Sequence, residues 1–198
     1  MDGVEELIIL LSDEMLAVHC LNGDITAFEE IINRYKNKVF GLIYRMVGQY
    51  QEAEDITQEV FLNVYTKLHQ FDPQKKFAPW IYKIATNTAI SHLRKNKKTT
   101  ILNFDEIYTN LYNIYHPPAV IDPLLNMERI ELQEEIQKAI MKLPVNYQII
   151  ILLRYQLELN NQEIAQILNI KKENVEVKVH RARKALRKIL LEQQTGRG

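Results

Sequence analysis

FDPQKKFAPWIYKIATNTAISHLRKNKK, residues 71–98, holds the chain's single tryptophan, Trp80, and opens its most telling helix. Asp72-Pro73 reads as a turn, because Pro73 fixes its own φ and pushes the preceding residue out of the helical region. Pro79 then suits the first turn of a helix, where a missing N–H costs nothing. From there Trp80, Ile81, Ile84, Ala85, Thr88 and Leu93 recur at helical spacing, with Lys83, Asn87, Ser91, Arg94 and Lys95 between them. The spacing predicts a helix over 79–95 with an apolar seat, a polar and basic outer face, and a basic loop before it. Aromatic rings among cations suit single-stranded nucleic acid, since bases stack on rings while ammonium groups neutralise phosphates. A core tryptophan with solvated lysines fits this stretch equally well.

Upstream, Ser12-Asp13 caps a short helix to about Leu21, and Asn22-Gly23-Asp24 breaks it. Phe28, Ile31, Ile32, Tyr35, Val39, Leu42, Ile43 and Met46 form an amphipathic stripe that ends near Gly48. A third helix spans about 51–69, with Ala53, Ile56, Val60, Val64 and Leu68 inward and Phe61 and Tyr65 at the margin. Its opposite face presents Glu54, Asp55, Gln58 and Glu59. No segment alternates with the period of a strand, so residues 1–96 read as one all-α domain.

Downstream the helical pattern lapses. Lys97-Lys98-Thr99-Thr100 and Pro117-Pro118 mark 97–125 as a flexible linker. Pro123 reopens helix, with Leu132, Ile136, Ile140 and Leu143 inward, until Pro144 ends it. In 126–198 the decisive run is NNQEIAQILNIKKENVEVKVHRARKALRKIL, residues 160–190. Asn160 or Asn161 caps a short helix, with Glu163 placed for a capping contact. Asn169 tolerates the left-handed turn that follows. A second helix from about Lys172 buries Val175, Val179, Ala182, Leu186 and Ile189. This is helix-turn-helix spacing, whose second helix can lie in a major groove. The expected fold is all-α: two small helical domains on a flexible linker, the C-terminal one containing the helix-turn-helix.

Composition is that of a globular chain: 198 residues, 46% hydrophobic and 25% charged. Its 25 basic and 25 acidic residues cancel, yet they segregate. Residues 51–66 carry four acids and no cation, whereas 67–98 carry eight cations against Asp72 alone. Residues 171–190 carry eight cations against Glu173 and Glu176. Local patches steer binding, so a net charge of zero does not exclude DNA. Cys20 is the only cysteine, which excludes an intramolecular disulfide and a cysteine metal site. The apolar run VEELIILL at 4–11 is too short to span a membrane and lacks a basic start, so the expected location is cytoplasmic.

Two stretches together resemble the sigma-70 superfamily, specifically its extracytoplasmic-function (group IV) sigma factors. AEDITQEVFLNVY (53–65) with FDPQKKFAPWIYKIATNTAISHLRK (71–95) is similar to the family's second conserved domain. LPVNYQIIILLRYQLELNNQEIAQILNIKKENVEVKVHRARKALRK (143–188) is similar to its fourth. The wording most resembles the cell-envelope stress sigma factors of Gram-positive bacteria.

The resemblance implies roles for residues already noticed. Glu54, Asp55, Gln58 and Glu59 would grip the clamp helices of the polymerase β′ subunit. Phe71, Lys75, Lys76, Phe77, Lys83 and Asn87 would receive a base flipped from the −10 element, with Asn87 as a polar wall and the lysines on phosphates. Trp80 would pack its helix rather than touch DNA. Lys172, Asn174, Glu176, Lys178, His180 and Arg181 would read the −35 element, Arg181 by a bidentate contact to guanine. Glu176 and Val177 depart from the family, where Lys or Arg and Ser or Thr are common; Glu176 would either accept from a cytosine amino group or weaken phosphate attraction. The implied partners are RNA polymerase core (β′ clamp helices and β flap), promoter DNA and an anti-sigma factor, often membrane-anchored. No cofactor, metal, catalytic residue or small-molecule substrate is implied.

Two rivals fit less of the chain. Glu52, Glu54, Asp55 and Glu59 sit on one helix, whereas metal sites in helical bundles draw carboxylates and Glu-x-x-His pairs from facing helices. The five histidines show no such pairing, and no Gly-rich phosphate loop or nucleophile–base pair is present. An ordinary helix-turn-helix repressor or activator explains 160–190 but leaves 51–98 without a role.

Overall fold

The computed structural model describes residues 8–95 and 123–195, with side-chain surroundings for 8–95 and 132–193. Among these every regular element is helical. A first group comprises α1 (Asp13–Leu21), α2 (Ile25–Val47), α3 (Tyr50–Lys67) and α4 (Phe77–Lys95), with a 3-10 turn, Leu68–Gln70, after α3. A second comprises α5 (Pro123–Met141), α6 (Val145–Ile151) continued by a π-helical turn Leu152–Gln156, α7 (Asn161–Leu168) and α8 (Lys172–Thr195). Of the stretch expected to be linker, 97–122 lies outside the described residues.

The helix ends follow the local chemistry. Ser12 Oγ accepts the Met15 N–H at 3.2 Å, and Asp24 Oδ1 accepts those of Thr26 and Ala27 at 3.0 and 3.3 Å. Gly48 closes α2 at φ 80°, a left-handed conformation that suits glycine. The start of α4 differs from expectation: it begins at Phe77, two residues before Pro79. The reason is a cap from elsewhere. Glu14 Oε1, on α1, accepts the Phe77 N–H at 3.0 Å.

The residue before Glu14, Asp13, is anchored to α2. Arg34 Nη1 donates to Asp13 Oδ1 at 2.8 Å and also to the Leu11 carbonyl, while its Nε meets Glu30 at 2.7 Å. The Tyr35 hydroxyl donates to Asp13 Oδ2 at 2.5 Å. Burial pushes the Tyr35 phenol well above its ordinary range, and the Asp13 carboxylate pushes the same way, so this donor keeps its proton.

Both groups contribute to one apolar core, with Leu16, Ile31, Leu42, Met46, Ile56 and Ile81 in the first and Ile149, Ile150 and Leu153 in the second. Leu132 was expected inward and is instead 56% exposed. Packing along α5 tightens only a turn later, where Gln137 and Ile140 are buried. The groups meet where α4 lies against α7. The buried amides of Gln137 and Gln148 both donate to the Arg45 carbonyl, at 3.4 and 3.0 Å. A carbonyl with two donors is well satisfied, as its two lone pairs allow.

Candidate nucleic-acid interface

The loop before α4 is a built turn. Asp72 Oδ1 accepts the Gln74 N–H at 3.1 Å, and its carbonyl accepts the Lys75 N–H at 2.9 Å. The Gln74 N–H and then the Lys75 ammonium, at 3.2 Å, hold the Asp72 carboxyl below its ordinary range. Lys75 and Lys76 are thereby carried outward, both exposed. Phe71 and Phe77 go the other way. They are 5% and 0% exposed, edge-on to one another with ring centres 5.2 Å apart, and Trp80 packs against both at 5.4 and 5.5 Å. Phe71 and Phe77 support the loop from beneath and present no open face for a base. Trp80 packs its helix, as expected.

Along α4, Lys83 and Asn87 are exposed one turn apart. They form one wall of a cleft of about 510 Å³ whose other wall comes from the second group, including Asn169, Ile170 and Lys178. The hydroxyl of Thr86, 2% exposed, lies at this cleft without a hydrogen-bond partner. The two groups are also bridged by Lys76 Nζ, which meets Glu163 Oε1 at 2.7 Å. Burial pushes the Glu163 carboxyl up, but the Lys76 hydrogen bond and the Asn160 N–H outweigh it and leave the group lowered. Lys76 is raised by the same contact.

On α3, Asp55, Gln58 and Glu59 are exposed and Glu54 half-buried. Glu59 Oε2 meets His92 Nε2 at 2.6 Å. That contact links the acidic face of α3 to the last turns of α4.

The helix-turn-helix forms as expected. Asn160 caps α7 in a full capping box with Glu163, and Asn169 ends it at φ 52°. Val175, Val179 and Ala182 seat α8 on the core. Lys172, Asn174, Glu176, His180 and Arg181 are exposed along α8, whereas Lys178 is half-buried and turned into the cleft. The structure thus gathers five of the six residues on open surface and sets Lys178 apart, facing the wall that carries Asn87. Glu14, Glu163, Arg154 and the Asn161 side chain also shape these surfaces. No periodicity flags them, because each acts through a contact between elements.

Residues 31–99 match the Sigma-70 region 2 family and 133–186 match Sigma-70, region 4. Among characterised proteins, the chain is 42% identical to the ECF RNA polymerase sigma factor SigW of Bacillus subtilis (strain 168), over 85% of this chain and 91% of that one. It is 31% identical to ECF RNA polymerase sigma factor SigM of the same organism, over 80% and 92%. Among solved structures it is similar to CnrH, determined in complex with the cytosolic domain of CnrY, with a TM-score of 0.63 and 22% identity over 90% of this chain and 96% of that one. At that identity the likeness speaks for the fold.

Proposed function

The chain belongs to the extracytoplasmic-function sigma factors of the sigma-70 family, and from that premise we propose how its surfaces divide the work of initiation. A sigma factor directs core RNA polymerase to promoters. Residues 1–96 engage core and the −10 element, 97–125 thread between the domains, and 126–198 read the −35 element. Glu54, Asp55, Gln58 and Glu59 meet the basic clamp helices of β′, and the second group meets the β flap. Asn87 donates and accepts toward a flipped −10 base while Lys75, Lys76 and Lys83 hold phosphates, with Phe71 and Phe77 as supports of the loop. Lys172, Asn174, Glu176, Lys178, His180 and Arg181 form the −35 surface. The work is binding and positioning, with no catalysis of the chain's own. The cellular setting is an envelope stress response in the cytoplasm, at the nucleoid, with an anti-sigma factor holding the protein back.

One observation carries the mechanism. The proposed −10 wall, Lys83 and Asn87, faces the helix-turn-helix across one cleft, and Glu163 of α7 neutralises Lys76 of the loop before α4. In this closed arrangement the −10 wall faces the helix-turn-helix with Lys178 turned toward it, so core polymerase has to separate the two groups before both promoter elements can be gripped at once. The free chain therefore binds promoter DNA weakly. Glu163→Gln keeps the capping box of α7, removes the charge facing Lys76 and loosens the closure. An exposed ion pair is worth little, so the free chain's promoter affinity rises by no more than about five-fold. Fluorescence anisotropy on promoter DNA, with and without core, measures both effects. Promoter binding by the free wild-type chain as tight as with core would overturn this reading.

A further inference from the structure

The helix-turn-helix contains a hydrogen-bonded relay that ends on Glu176, the acidic departure within α8. Arg154, on the π-helical turn, donates through Nη1 to the Leu159 carbonyl at 3.1 Å and through Nη2 to Asn161 Oδ1. An amide side chain has one accepting oxygen and one donating nitrogen. With its oxygen facing the guanidinium, Asn161 turns Nδ2 toward α8, where it donates to Glu176 Oε1 at 2.6 Å. The reverse orientation would set donor against donor and acceptor against acceptor. The relay therefore runs one way only.

Its consequence is a fixed carboxylate on an exposed stretch of α8. A loose Glu176 would swing away from DNA phosphates. Held through Oε1, it keeps Oε2 available as an acceptor at a set place. In the major groove, cytosine presents an amino donor. Guanine presents two acceptors, and thymine an acceptor and a methyl group. Adenine places the N7 acceptor beside its amino group. A carboxylate that only accepts is matched best by cytosine. Building on the reading that α8 recognises the −35 element, we propose that Asn161 is a positioning residue that presets Glu176 to read the amino group of one cytosine there.

The test is selection by reconstituted holoenzyme from a duplex library randomised across the −35 element, read by sequencing. The wild-type chain enriches cytosine at one position. Glu176→Ala lowers that enrichment by roughly ten-fold, within the range for loss of one base contact. Asn161→Ala lowers it several-fold at the same position and leaves the other positions unchanged. Asn161→Asp, which opposes two carboxylates, lowers it at least as far. A merely structural Asn161 would weaken all positions alike, and that outcome overturns the proposal. So does Glu176→Ala tightening every sequence equally, which would make the carboxylate a plain repeller of phosphate. Wild-type holoenzyme that enriches no −35 element would overturn the parent reading as well. Enrichment of an element indifferent to Glu176 and Asn161 would overturn the relay alone.

Discussion

Phe77→Ala is expected to destabilise the first helical group severely. Phe77 is wholly buried, and its ring meets Phe71, Trp80 and Tyr35 at 5.2, 5.5 and 5.6 Å between centres. Truncating a buried phenylalanine costs about 3–5 kcal/mol through lost apolar burial and the cavity left behind. Against a total stability of about 5–15 kcal/mol, that is a large share. It also strikes where the Glu14 cap, the α4 start and the Lys75–Lys76 loop converge, so the proposed −10 capture is expected to fall with stability. Denaturant unfolding of the purified variant gives the number. A change below about 1 kcal/mol would mean that the aromatic cluster does not support the loop.

Asp55→Lys is expected to have the second large effect, on assembly rather than folding. Asp55 is exposed on α3, so its replacement disturbs no core contact. If the acidic face meets a basic partner helix, a reversed charge loses an attraction and adds a repulsion. Losing one partner of a charge pair buried at an interface costs about 2–5 kcal/mol, or roughly thirty-fold and upward in Kd. Glu29→Lys, the same change at an exposed position of α2, serves as the comparison and leaves core binding nearly unaltered. Equal losses from both variants would point to general electrostatics instead of a specific α3 contact.

Much of this architecture is readable from local pattern. The stripe from Phe28 to Met46, the cap at Ser12, the glycine stop at Gly48 and the capping contact of Glu163 are each decided within a few residues, so spacing and cap chemistry suffice. The helix-turn-helix is legible for the same reason. What escaped is decided across elements. Pro79 pointed to a helix start two residues late, because the real cap, Glu14, lies sixty-three positions away. Leu132 matched an inward spacing but lies beyond the packed part of α5. Phe71 and Phe77 flank the loop proposed to receive the −10 base, yet their rings turn inward, a choice made by Trp80 and Tyr35 packing around them. The pairing of Glu176 with Asn161, fifteen residues apart, has no signature in either residue alone.

Run-off transcription by core polymerase reconstituted with this chain, on a promoter library, tests the central claim most directly. Promoter-selective transcripts should appear with the wild-type chain. Arg181→Ala should remove selection at the −35 element, and Asn87→Ala should remove it at the −10 element while core binding persists. Transcripts whose selection survives both substitutions, or no association with a competent core, would contradict the account.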